Sequence, residues 1–189
     1  MNNYKLMGLS LILTGLMNSA HASNIQPVVV AGLYFGGDNL VETNRDDLEA
    51  GGLFHFGGGF SIQSPDSDVS YQLTLGYKFD SVDFDIPKGD SSISSLPLEF
   101  SAYHKLSGPH RIGAGVAYHI NPEYELCFSG SGCNTAKFDN ALGFSIEYGY
   151  DISNQMFWGV KYTSIDYDSD RLRTIDASNL GFLVGFKIY

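Results

Sequence analysis

The chain has 189 residues and a formal net charge of −10, with 21 Asp and Glu against 11 Lys and Arg. That length suits one domain, and so acidic a balance excludes a nucleic-acid binder, which needs a basic footprint. The 13 Phe, 12 Tyr and 22 Gly are an enrichment typical of β-barrels with aromatic girdles.

Residues 1–22 have the form of a secretory signal peptide. Lys5 supplies the positive start, residues 6–16 a short apolar run, and Ala20-His21-Ala22 an A-x-A-like cleavage site, so the mature chain is expected to be 23–189. The leader contains no cysteine, which argues against a lipoprotein anchor. Beyond it no stretch approaches the ~18 apolar residues that a spanning helix requires. If this chain crosses a membrane, it does so as strands.

Eight stretches alternate bulky apolar with small or polar residues, a period-two pattern that argues strand throughout. The first, 28–36, sets Val29, Ala31, Leu33 and Phe35 on one face. The second, 53–63, sets Phe54, Phe56, Phe60 and Ile62 against His55, Gly57, Gly59 and Ser61. In 69–79, Tyr71, Leu73, Leu75, Tyr77 and Phe79 alternate with Ser70, Gln72, Thr74, Gly76 and Lys78. Stretch 96–104 sets Leu98, Phe100 and Ala102 against Glu99, Ser101 and Tyr103; stretch 112–120 sets Ile112, Ala114, Val116 and Tyr118 against Gly113, Gly115, Ala117 and His119. In 142–150, Leu142, Phe144, Ile146 and Tyr148 oppose Gly143, Ser145, Glu147 and Gly149. In 156–163, Met156, Trp158, Val160 and Tyr162 oppose Gly159 and Lys161. The last, 180–188, sets Leu180, Phe182, Val184, Phe186 and Ile188 against Gly181, Gly185 and Lys187.

The connectors alternate in length. Residues 64–67, 105–110 and 151–154 are turn-sized, and the first two carry Pro65-Asp66 and Gly108-Pro109. Segments 37–51, 80–92, 121–137 and 166–177 are longer and read as loops. Short periplasmic turns, long outer loops and both termini in the periplasm are the layout of an outer-membrane barrel. An even strand number permits closure without free edges. Cys127 and Cys133 share one segment of an exported chain, so a local disulfide is the expectation; a metal pair is the weaker alternative, with no histidine in that segment.

A soluble lipocalin-like barrel or a two-sheet sandwich also alternates, but turns its apolar face inward. An eight-stranded interior has room only for side chains or one small ligand. The bulky face would overfill it, whereas Gly32, Gly57, Gly59, Gly76, Gly113, Gly115, Gly143, Gly149, Gly159, Gly181 and Gly185 share the opposite parity. The bulky face therefore points outward, into lipid. The only titratable side chain placed on it is His104, beside a short turn. Trp158, Tyr77, Tyr118, Tyr148, Tyr150 and Tyr162 are girdle candidates.

The closing stretch 180–189, LGFLVGFKIY, and this architecture resemble the small outer-membrane barrels of Gram-negative bacteria, the OmpA/OmpX-like group. Pro97-Leu98-Glu99, the run HRIGAG at 110–115, Tyr118-His119 and Pro122 are similar to a set of uncharacterised proteobacterial barrel proteins, a likeness that carries no activity with it. The wider resemblance implies an all-β, eight-stranded antiparallel up-and-down transmembrane barrel in the cell outer membrane. It also implies contact with lipopolysaccharide and outer-membrane lipids, a monomeric state, and insertion by the barrel-assembly machinery. That machinery reads the last strand and favours a final Phe; here the end is Tyr189, out of phase with the apolar parity. No peptidoglycan-binding domain is expected after the barrel.

The inward polar set is Lys78, Glu99, Tyr103, His119, Glu147, Lys161 and Lys187, with His55 and Ser101. Charges in a narrow lumen must pair, so the expectation is a polar plug without cofactor, metal or catalytic residue. Ser101, His119 and Glu99 could instead be cast as a triad, which alternation alone cannot test. A lipid A deacylase of the barrel kind would call for His and Ser on the lipid face near the outer leaflet; His104 and His110 fall at the opposite end. The long segments hold most of the acidic residues, among them Asp38, Glu42, Asp83, Asp90 and Asp168, without EF-hand spacing. The expected role is structural or surface interaction; a narrow pore is the alternative.

Overall fold

The computed structural model describes residues 24–42, 47–63, 67–85, 88–130, 132–169 and 173–188. The leader 1–22 lies outside them, as does most of the turn expected at 64–67. No helix among the described residues is long and apolar enough to cross a membrane.

Among the described residues thirteen strands follow in order: β1 (Asn24–Phe35), β2 (Asn39–Glu42), β3 (Asp47–Glu49), β4 (Phe54–Gln63), β5 (Val69–Asp85), β6 (Lys88–Lys105), β7 (His110–Phe128), β8 (Gly132–Lys137), β9 (Ala141–Asp151), β10 (Met156–Ser164), β11 (Asp166–Tyr167), β12 (Ile175–Asp176) and β13 (Asn179–Lys187). Strands β1, β4, β5, β6, β7, β9, β10 and β13 pair antiparallel, each with its neighbours, and β13 returns to β1. The fold is a closed, eight-stranded transmembrane β-barrel.

Alternation decides which side chains face out. On β9, Leu142, Phe144 and Ile146 are 61%, 66% and 64% exposed, while Ser145 and Glu147 between them are buried. The same holds around the wall, so the apolar belt faces outward where lipid replaces water. Aromatic rings cluster at both rims. Trp158 stacks on Tyr150 and Phe182 towards the short turns, and Phe79 stacks on Phe54 and Tyr77 towards the long segments. His104 is exposed on the outer face.

The lumen is narrow enough that ring and backbone touch. A Cβ at Gly185 would stand 2.1 Å from the Phe157 ring, and one at Gly181 2.1 Å from the Tyr34 ring. Glycine on the inward parity thus makes room for inward aromatics.

Two expected loops are strands. β5 runs on to Asp85 and β6 begins at Lys88, while β7 reaches Phe128 and turns back as β8. Segments 80–92 and 121–137 read as loops because their composition is polar, yet the period of two persists with its chemistry inverted. Above the lipid belt water lies outside, so Ser81 and Asp83 point out while Val82 and Ile93 point in and are buried. On β7 the crossing is made by the backbone instead. The ladder to β6 shifts between Ser94 and Leu96; opposite it Asn121 has a φ of 48° and Pro122 is fully buried. Such a bulge adds a residue and re-aims those after it. Asn tolerates the left-handed conformation better than most residues.

The inward apolar residues of these extensions meet the remaining long segments. Leu48, Ala50, Val82, Ile93, Phe138, Ala141, Ile165, Tyr167 and Ala177 form one buried cluster over the outer end of the lumen. The β2–β3 and β11–β12 hairpins supply part of it. They are knit together where Asp38 N donates to Asp176 O at 2.7 Å and Asp176 N donates to Asp38 Oδ2 at 3.1 Å.

Candidate functional site: the filled lumen

Inward parity on the barrel strands collects the titratable side chains. Lys161 on β10 donates to Glu99 Oε2 on β6 at 2.5 Å, and the pair spans the lumen, since β7 and β9 lie between those strands in the wall. Towards the end with the short turns, Arg111 Nη2 donates to Glu147 Oε1 at 3.2 Å and the Tyr103 hydroxyl donates to Glu147 Oε2 at 2.9 Å. The Arg111 guanidinium lies 4.0 Å from the Phe157 ring centre and 4.3 Å from that of Tyr103. Two acceptors, one delocalised cation and two π faces thereby satisfy most of one another in a site water barely reaches.

Towards the outer end, the Lys78 ammonium lies 4.3 Å from the centre of the Tyr34 ring, whose edge meets His55. His119 Nδ1 is 2.6 Å from the Tyr167 hydroxyl and 3.3 Å from Ser95 Oγ. Tyr167 belongs to β11, outside the spanning strands, and burial pushes its phenol up to about 12. It therefore stays neutral and hydrogen-bonds to His119 beneath the apolar cap.

Of the residues expected in the lumen, Lys78, Tyr103, His119, Glu147 and Lys161 are buried and Glu99 is half-buried. Lys187 stands apart at the mouth beside the short turns, 5.9 Å from the centre of the Phe157 ring. Ser101, His119 and Glu99 do not form a triad. His119 is taken by Tyr167 and Ser95, Glu99 by Lys161, and Ser101 pairs with Gly115, four residues (about 13 Å) along the strand from His119.

Arg111 falls outside the expected set because the fifth alternating stretch begins at Ile112. It shares the inward parity of Gly113 and Gly115. Tyr34 shares the parity of Gly32 in the same way. Tyr167 carried no such signal, since it arrives from outside the barrel strands. Cys127 and Cys133 are register partners across β7–β8 and are disulfide-bonded. With Glu125 they are the one group of potential metal ligands found among the described residues, and the bond occupies both sulfurs.

A closed wall, a greasy belt and a packed lumen define a small transmembrane barrel. Among the solved structures that share its fold are two small barrels. Neisserial surface protein A (NspA) matches with a TM-score of 0.56 at 10% identity, over 89% of this chain and all of that one. Ail, the attachment invasion locus protein of Yersinia pestis, solved with the heparin analogue sucrose octasulfate, matches with a TM-score of 0.53 at 6% identity, over 88% and 97%. No protein-family model matches the chain, and no curated protein matches its sequence. The chain is similar in fold to small eight-stranded outer-membrane barrels.

Proposed function

We propose that this protein is a non-enzymatic barrel of the Gram-negative outer membrane whose working surface is the part that rises above the lipid. The carrying observation is the division of labour along the barrel axis. The lumen is filled by buried polar and aromatic side chains, including the Arg111–Glu147 and Lys161–Glu99 pairs, and lidded by the apolar cluster, while β5–β8 continue outward as a four-stranded sheet. The outward face of that sheet carries Asp83, Asp90, Glu123 and Glu125, of which Glu123 is paired with Lys137 at 3.3 Å, and the disulfide braces its last hairpin.

A surface protein and an attachment protein among the fold neighbours support a contact role. The chemistry of the contact differs here, since a sheet of this acidity disfavours a sulfated polyanion and suits a basic partner surface. The same reading has the leader 1–22 removed, the barrel inserted by the barrel-assembly machinery, and a monomer surrounded by lipids and lipopolysaccharide; closure leaves no free edge among the eight spanning strands, and the outward sheet ends on β8.

Planar-bilayer recording of the purified barrel tests the plug. No steady conductance is expected, and a persistent open state would overturn it in favour of a narrow pore. Adhesion assays on cells lacking the protein, with and without a variant carrying Asn or Gln at Asp83, Asp90, Glu123 and Glu125, test the surface.

A further inference from the structure

Below the Arg111–Glu147 pair the lumen opens into a cavity of about 600 Å³ on the periplasmic side, walled by strand ends and by the turns at 106–109 and 152–155. Its lining is polar, with Asp68, Lys105, Arg111, Asp151 and Lys187 among the contributors. Arg111 is neutralised by Glu147. The other four are two ammoniums and two carboxylates, and none forms an ion pair with another described residue. Asp151 Oδ1 is buried without a hydrogen-bond partner, and so is Nε of the almost wholly buried Arg111.

Buried polar atoms without partners are costly; Asp151 and Lys187 stand half-buried inside the hollow, with Asp68 and Lys105 exposed at its rim. A simple anion gains little there, because Asp68 and Asp151 offset Lys105 and Lys187. A simple cation is disfavoured by the same symmetry. A molecule charged at both ends engages both sets, its ammonium against Asp151 and its carboxylate against Lys187. The volume lies within the range of small-molecule sites, roughly 300–1,000 Å³, and the polar lining excludes an apolar guest.

We propose that this vestibule binds a small zwitterion from the periplasm, an amino acid or short peptide with both termini free. The filled lumen above makes it a dead end, so the ligand binds and leaves on the same side.

The test is calorimetric titration of the intact mature barrel in a maltoside detergent, which carries no charge to compete. The probes are dialanine in its L,L and D,D forms, N-acetyl-dialanine and dialanine amide. Free dialanine is expected to bind, and blocking either end to weaken it by about tenfold or more, the loss of one charge-assisted contact. Preference between the two stereoisomers separates a cell-wall peptide from an ordinary one as the source. Asp151→Asn is expected to abolish the advantage of the free amine, and Lys187→Gln that of the free carboxylate. Binding that is absent, that is equal for free and acetylated peptide, or that is unchanged in both variants overturns the proposal. Should either variant fail to fold, shifts of the Lys105 and Lys187 ammonium resonances in the unaltered barrel on adding dialanine decide the matter, and their absence refutes it.

Discussion

Arg111 and Glu147 show what a charge costs inside this lumen. Both side chains are about 95% buried, and each depends on the other and on Tyr103 and Phe157 for compensation. Removing one partner strands the other, at roughly 3–5 kcal/mol. Glu147→Ala is therefore expected to lower stability by about that amount. The paired replacement Arg111→Met with Glu147→Leu is expected to recover much of it, because no charge is left alone. Urea titration of the barrel in lipid vesicles, followed by heat-dependent gel mobility, measures both. Equal loss in the single and double variants would show that packing, and not charge, holds the site. Gly185 makes the steric counterpart. Its missing Cβ is the space the buried Phe157 ring occupies, so Gly185→Val is expected to destabilise by about 1–3 kcal/mol in the same titration. The joint variant Gly185→Val with Phe157→Ala relieves the clash and should not add the two single losses.

Among the elements, the outer hairpins carry a pH dependence. Asp176 accepts hydrogen bonds from the backbone N–H and the hydroxyl of Ser178, and these hold its carboxyl below the usual range. A depressed folded-state value means that its contribution is complete above the unfolded value, near 3.9, and is lost as pH falls through the folded one. Asp176 is exposed, so the effect is local. Amide exchange at Ala177 and Ser178 is expected to accelerate, relative to the barrel strands, as pH is lowered through the acid range. Asp176→Asn removes that pH dependence, and identical profiles in the two proteins would exclude it as the origin. These hairpins also mark where reading by composition fails. Val82 and Ile93 keep the strand period, but Ser81, Asp83, Asp90 and the serines around them resemble a loop. What distinguishes the two is whether a neighbouring strand is present to accept the backbone hydrogen bonds, as Ser91 and Ser92 find in Leu126 and Glu125.

At the scale of the whole molecule, the belt makes a depth-dependent prediction. Ile146 is 64% exposed on the outward face of a spanning strand, and an arginine there is expected to cost about 2–4 kcal/mol. Ser81→Arg, equally outward but above the belt, is expected to be within about 0.5 kcal/mol of neutral. Vesicle folding titrations compare the two, and equal costs would remove the lipid from the outer face.

The sequence by itself determined the eight spanning stretches, their parity and the outward direction of the bulky face. Those properties follow from a two-residue period and from a lumen too small for bulky groups on every strand. It also determined the inward set of Lys78, Glu99, Tyr103, His119, Glu147 and Lys161, because parity assigns a side irrespective of partners. Only the tertiary structure decided who pairs with whom. Lys161 reaches Glu99 across the lumen although Glu147 is its register partner on β9, and Tyr167 descends from an outer hairpin to His119. Closure of the barrel brings together residues tens of positions apart, and strand order around a closed ring is not written in the alternation of any one strand. The apolar cap and the charged vestibule at the opposite end exist for the same reason, since each is assembled from the ends of many strands and belongs to none of them.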